Sequence, residues 1–294
     1  MQNNTNNAMY AEIKRRAIAN TQSSNMACFV GGTWVSIPEF PYWKPIKELK
    51  VGDMVMAMPE NGIGERTPKR VINTFKHEAQ AIWYLGLSDL GSGLGYINVN
   101  LAVTPNHPFM VYGYTDDVNE VGEFANVTYY DEPRWKRVDQ LMIGDLVKSS
   151  VHNEYYTVCS VKPLYQAFSP DYAYLQGGKE MVGWQGAEEG FLIDFCDKEA
   201  EVDVYGQIWV LDDACPNSHV EPLSPEDSPA YPYYDRQGYT GAEASGIAYP
   251  LYTTTVYNIE VEDYHTYCVA GAGILVHGSG GLNHSLDALG DEIK

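Results

Sequence analysis

An all-β fold, built as a pseudo-twofold duplication and interrupted by an acidic insertion, is the architecture this sequence predicts, and three observations predict it. From Cys28 onward the chain consists of short runs rich in Val, Ile, Tyr and Thr, cut by Gly, Pro and Asp, which is the pattern of many short strands. Two segments, IKELKVGDMV (46–55) and VDQLMIGDLV (138–147), share an apolar-x-x-Leu-x-[Val/Ile]-Gly-Asp-x-Val text. A second pair, TPNHPFMV (104–111) and EDYHTYCV (262–269), sets a histidine ahead of x-aromatic-x-Val, so that His107 is the counterpart of His265. Two copies of turn-strand followed by His-strand imply one half from about 28 to 115 and another from about 135 to 277.

Taken in order, residues 1–27 are polar and Asn-rich, with one helical spacing at Tyr10, Ile13 and Ala17, and read as a leader or host segment outside the domain. Residues 28–164 form the first part of the β-domain, where Gly52-Asp53 and Gly144-Asp145 each supply a turn before a strand. Residues 165–250 hold 16 acidic and 3 basic side chains and read as an insertion. Its runs GFLIDF and GQIWVLDD suggest two strands of a small subdomain, and its Pro-, Gly-, Ser- and Tyr-rich end an exposed, irregular excursion. Residues 251–278 return to the domain and end on the apolar strand GILVH, and 279–294 read as a tail.

Composition narrows the function. A formal charge of −20 repels phosphate backbones and anionic membrane surfaces, so neither nucleic acid nor membrane is expected as a partner. No run reaches the 18 or more apolar residues of a membrane span, and the first 25 residues lack the apolar stretch of a secretory signal. The five cysteines (Cys28, Cys159, Cys196, Cys215, Cys268) are odd in number and scattered, with no C-x-x-C pair. That pattern predicts a free thiol, which a reducing environment favours, and neither a metal site nor a cofactor. The compartment is left open.

Few residues carry chemistry. Cys28 stands where the polar leader meets the first strand, in NMACFVGGTWV; a thiol there is either a core residue or a nucleophile in need of a neighbouring base. Thr104 and His107, at i and i+3 across a Pro-containing turn, can converge on one backbone group, or the histidine can serve the turn alone. His265 and His277 each sit at a strand end and are as ambiguous singly, while alternation places Cys268 in the core.

The blocks CFVGGTWV, IKELKVGDMVMA, VTPNHPFMV, WKRVDQLMIGDLV and VYNIEVEDYHTYCVAGAGILVH, in this order, resemble Hint domains, the group that includes inteins, Hedgehog autoprocessing domains and bacterial intein-like domains. The resemblance covers 28 to about 163 and 252 to 278, and the last block looks especially like bacterial intein-like members. It implies a single-turnover autocatalytic reaction: Cys28 attacks the Ala27 carbonyl and turns that peptide bond into a thioester by an N-to-S acyl shift. It further implies His107 as proton donor to the departing amine and Thr104, with backbone N–H groups, as holder of the oxyanion, with His265 and His277 completing the site.

Departures from the family pattern restrict the expected reaction. Splicing members end in His-Asn before Cys, Ser or Thr, and the Asn side chain cyclises to break the C-terminal bond. Here the text is His277-Gly278-Ser279, and glycine has nothing to cyclise, so Ser279 can accept an acyl group that no Asn resolves. Asn258 stands where many splicing members carry aspartate. The expectation is therefore N-terminal cleavage of the chain's own host segment by water, a small thiol or an amine, without full splicing. The insertion shows no LAGLIDADG-like text, and its acidity opposes DNA binding. The alternative is a catalytically reduced fold that acts as a structural module and binds a protein partner through the acidic insertion.

Overall fold

Alternating and fully apolar β-branched runs make strands here because a pleated sheet buries one or both faces of such a run. A computed structural model describes residues 27–89, 99–118, 124–166, 172–175, 191–195, 210–211 and 251–278. The leader up to residue 26, Cys196, Cys215, most of the insertion with its Tyr-rich end, Ser279 and the tail lie outside the described residues.

In chain order the strands are β1 (Phe29–Val30), β2 (Trp34–Ser36), β3 (Trp43–Pro45), β4 (Met54–Ala57), β5 (Thr67–Ala81), β6 (Trp83–Asp89), β7 (Val99–Val103), β8 (Pro108–Val118) and β9 (Phe124–Arg137). They continue with β10 (Asp145–Lys148), β11 (Tyr155–Pro163), β12 (Tyr165–Gln166), β13 (Tyr172–Leu175), β14 (Phe191–Asp194), β15 (Val210–Leu211), β16 (Thr253–Val261), β17 (Thr266–Val269) and β18 (Ile274–His277). Two 3-10 turns, Ile46–Glu48 and Val138–Gln140, are the only helical pieces among the described residues, so the chain is all-β as its sequence predicts. One sheet runs β3-β2-β17-β18-β8-β10-β11-β6-β7-β1-β16-β5-β4, with β9 paired to β8. The second is the short sheet β12-β13-β14-β15.

The repeated GD text folds the same way twice. In each copy a Trp-Lys pair leads into the 3-10 turn, and the lysine closes on the aspartate nine residues later: Lys44 Nζ to Asp53 Oδ2 at 2.7 Å, and Lys136 Nζ to Asp145 Oδ1 at 2.7 Å. The glycine before each aspartate takes a left-handed conformation, φ 99° at Gly52 and 97° at Gly144, which a side chain would resist. The aspartate's second task is also shared, since it accepts the backbone N–H of Lys50 in one copy and of Met142 in the other. The duplicated sequence is thus a duplicated local structure.

Two apolar clusters form the interior. The larger gathers Phe29, Val35, Leu85, Phe109, Val158, Tyr267, Ile274 and Val276 among others, all buried. The smaller joins Cys28, Val30, Ile82, Tyr84, Leu164 and Val256 to Ala173, Leu175, Ile193 and Phe195. Strands of the short sheet therefore pack into the same cluster as Cys28 through Ala173, Leu175 and Ile193. The two strands expected in GFLIDF and GQIWVLDD are present as β14 and β15, and they pair with each other. The described strands of the insertion thus contribute apolar side chains to the cluster that holds Cys28.

Candidate active site

Strand register assembles the site. β1 lies between β7 and β16, with Phe29 paired to Val103 on one side and to Tyr257 on the other. In antiparallel pairing one step along β1 moves one step back along each neighbour, so Cys28 stands between Thr104 and Asn258. The side chains use that placement. Thr104 Oγ1 accepts the Cys28 N–H at 2.8 Å and donates to the Cys28 carbonyl at 3.2 Å, which the Thr104 N–H also meets at 2.9 Å. On the other side the Asn258 Nδ2 amide donates to the carbonyl of Ala27. That amide is itself oriented, because its Oδ1 accepts Tyr267 Oη and the Ile259 N–H, each at 2.7 Å. Asn258 is buried, and its fixed amide can only present N–H toward Ala27.

The same arithmetic places the histidines. Phe109 of β8 pairs with Val276 of β18, and Thr266 of β17 pairs with His277, so Gly278 falls between His107 and His265. The Gly278 N–H accordingly donates to the His265 carbonyl at 2.7 Å. The two histidines matched by the sequence repeat thus flank the C-terminal junction, and His107 lies beside the N-terminal one as well. The His107 ring packs on Phe29 at 4.2 Å between centroids and faces Phe109 and Tyr267 edge-on.

Burial sets the electrostatics. The Cys28 thiol is fully enclosed, and loss of hydration pushes its pKa up to about 12. The His107 imidazole is held well below its ordinary value, by desolvation first and then by the nearby His277. A contact with the Ala27 backbone, looser than a normal hydrogen bond, works the other way, and neither ring nitrogen has a partner of normal geometry. His107 is therefore neutral near pH 7. Cys268, also enclosed, is pushed up to about 11 by burial despite the Ser150 hydroxyl that donates to its sulfur at 3.3 Å, in keeping with its expected place in the core.

His277 is buried at the end of β18, with Nδ1 at 2.7 Å from the Gly278 carbonyl and Nε2 at 2.8 Å from Glu60 Oε1. The His265 ring is half-buried and stacks at 6.5 Å on that of His277, on a backbone of positive φ. Gly278 has no room for a side chain: a Cβ there would meet the Ile259 carbonyl oxygen at 2.5 Å and the His265 carbonyl oxygen at 3.2 Å. Ser279 lies outside the described residues.

Of the residues singled out in the sequence, Ala27, Cys28, Thr104, His107 and Asn258 converge on one peptide bond, and His265, His277 and Gly278 on the other. Glu60 was missed, because a carboxylate in the turn Pro59-Glu60-Asn61-Gly62 carries no signal of its contact 217 residues on. No group of His, Cys, Asp and Glu suited to a metal ion is found among the described residues, and no helix among them is long and apolar enough to cross a membrane.

Several solved structures are similar to this chain. It is similar to inteins. A bacterial intein-like domain from Clostridium thermocellum is 17% identical over 86% of this chain and 99% of its own, with a TM-score of 0.41. A DnaB intein from Synechocystis sp. PCC 6803 is 12% identical, covering 86% of this chain and 99% of its own at a TM-score of 0.39. The gp41-1 intein is 12% identical over 85% and 98%, with a TM-score of 0.37. No family model and no curated protein sequence matches the chain.

Proposed function

We propose that this chain is a self-processing domain that activates its own Ala27-Cys28 peptide bond, passes the acyl group to the Cys28 sulfur, and releases the N-terminal segment to water, a thiol or an amine. The observation that carries the reading is the grip on that bond: Asn258 donates to the Ala27 carbonyl while Thr104 holds the Cys28 N–H. Each contact lies where charge or a proton must move.

With its pKa near 12, the Cys28 thiol supplies only about one thiolate in 10⁵ at pH 7, so attack has to be coupled to proton removal. Neutral His107 is in the form that can take that proton. The sulfur then bonds to the Ala27 carbon, and negative charge grows on the carbonyl oxygen under the Asn258 N–H. As the C–N bond breaks, His107 returns the proton to the Cys28 nitrogen, which leaves as an amine positioned by Thr104. His107 thus acts first as base and then as acid, which amends the expectation of a proton donor alone. In this reading Asn258 takes the oxyanion role that the family resemblance implied for Thr104 with backbone N–H groups, and Thr104 keeps the amide nitrogen and the Cys28 carbonyl.

Cleavage is confined to one junction. Gly278 has no side chain to cyclise, and the space beside its Cα is filled by backbone oxygen. Intact mass spectrometry of the full chain with and without dithiothreitol tests the proposal: loss of residues 1–27 is expected, faster with the thiol and absent in Cys28→Ala. An unchanged mass in the wild-type chain would favour the structural, partner-binding module instead.

A further inference from the structure

The second junction carries a group that the reaction at Cys28 does not use. Both ring nitrogens of His277 face oxygens, Nδ1 the Gly278 carbonyl and Nε2 the Glu60 carboxylate. A carbonyl has no hydrogen to give, and an ionised carboxylate has none either. A neutral imidazole owns one N–H and one lone pair, so it would leave one of these short contacts as lone pair against lone pair. The imidazolium, with two N–H donors, satisfies both.

We propose that Glu60 is a positioning residue of the C-terminal junction: it holds His277 as the doubly protonated imidazolium with Nδ1–H directed at the Gly278 carbonyl.

The loop that carries Glu60 is built to deliver it. Residues 58–62, between β4 and β5, are tied down by three neutral hydrogen bonds from other elements. Thr266 Oγ1 donates to the Met58 carbonyl, Trp135 Nε1 to the Glu60 carbonyl at 3.0 Å, and Tyr112 Oη to the Gly62 carbonyl at 2.9 Å. Gly62 is required for this approach, since its φ is 72° and a Cβ would lie 2.9 Å from Met110 Cγ. The Trp135 ring, held at the same loop, stands edge-on to His277 at 5.2 Å. Glu60 is 46% exposed and keeps part of its hydration, whereas His277 is fully enclosed. Two histidines are also near: His265, stacked on the ring, and His107, whose protonation the His277 charge opposes. Among the described neighbours of His277, Glu60 is thus the one that favours its positive charge.

The test is long-range ¹H–¹⁵N correlation on full-length chain labelled with ¹⁵N-histidine, at pH 7, in a Cys28→Ala background that keeps both junctions whole. His277 is assigned by its loss in His277→Gln. The expected result is two protonated ring nitrogens on His277, and in Glu60→Gln a shift of Nε2 alone to the unprotonated position, since a glutamine amide can turn to donate to it. Glu60→Asp, which retains the charge, is expected to keep both protons, and Glu60→Ala to lose one. The three neutral bonds that anchor the loop do not involve the Glu60 side chain, and unchanged amide signals elsewhere report that the fold is kept. A single-tautomer neutral His277 in the parent chain, or a doubly protonated one in both Glu60→Gln and Glu60→Ala, overturns the assignment. Neither outcome depends on cleavage at Ala27-Cys28.

Discussion

The two junctions each enclose a histidine, and the two rings have different neighbours. At Ala27-Cys28 the ionisable groups are enclosed among Phe29, Phe109 and Tyr267, so the thiol stays protonated and the imidazole of His107 stays neutral. At His277-Gly278 an equally enclosed imidazole touches a half-exposed carboxylate. The difference teaches that neighbours decide a histidine's task more than burial does. With no acid in contact the ring can shuttle a proton, and with one it is suited to a fixed charge.

The largest expected break in this comparison is at His107. His107→Ala should slow thiol-induced cleavage by about 10²- to 10⁴-fold, the usual worth of a positioned acid–base group, as read by the time course of intact mass. The sign of the pH dependence goes with it. Because burial holds His107 well below its ordinary value, its neutral form prevails at and above pH 7, and the rate with saturating thiol should be nearly flat from pH 7 to 8. A rate that climbs as pH falls would instead require the imidazolium.

Next is Asn258→Asp, which keeps the shape and removes the only donor that residue aims at Ala27. A loss of about 10²- to 10³-fold in cleavage rate is expected, comparable with the removal of one oxyanion donor elsewhere. A rate equal to that of wild type would break the link between the Asn258 amide and the carbonyl it touches. The smallest effect on activity is expected from Gly278→Asn, which restores the text of a splicing junction. Its Cβ would meet the Ile259 carbonyl at 2.5 Å, so the chain must shift there. Thermal unfolding should show about 1–3 kcal/mol of destabilisation, and mass spectrometry no ligation of the flanking segments.

Much of this contrast was legible in the sequence. The strands followed from β-branched runs, and the GD repeat announced two turns that fold alike down to the Lys-Asp bridge. Cys28, Thr104 and His107 were ambiguous from their sequence neighbours alone, and only the resemblance of the surrounding blocks to Hint domains singled them out together. Asn258 was visible only as a departure, since its use depends on the register of β16 against β1 and on Tyr267 turning its amide. Glu60 was invisible for the same kind of reason, as a turn residue acquires its partner only when the loop docks. In the insertion the two short strands were legible from GFLIDF and GQIWVLDD, whereas the packing of Ala173, Leu175 and Ile193 into the cluster of Cys28 was not, because it depends on how the short sheet docks.

The central claim is that Ala27 is transferred to the sulfur of Cys28. Treating the full chain with hydroxylamine and sequencing the released N-terminal peptide by mass spectrometry tests it most directly. The account predicts a peptide ending at Ala27 as its hydroxamate, formed by the wild type and not by Cys28→Ala. A peptide ending elsewhere, or one released equally by Cys28→Ala, would contradict it.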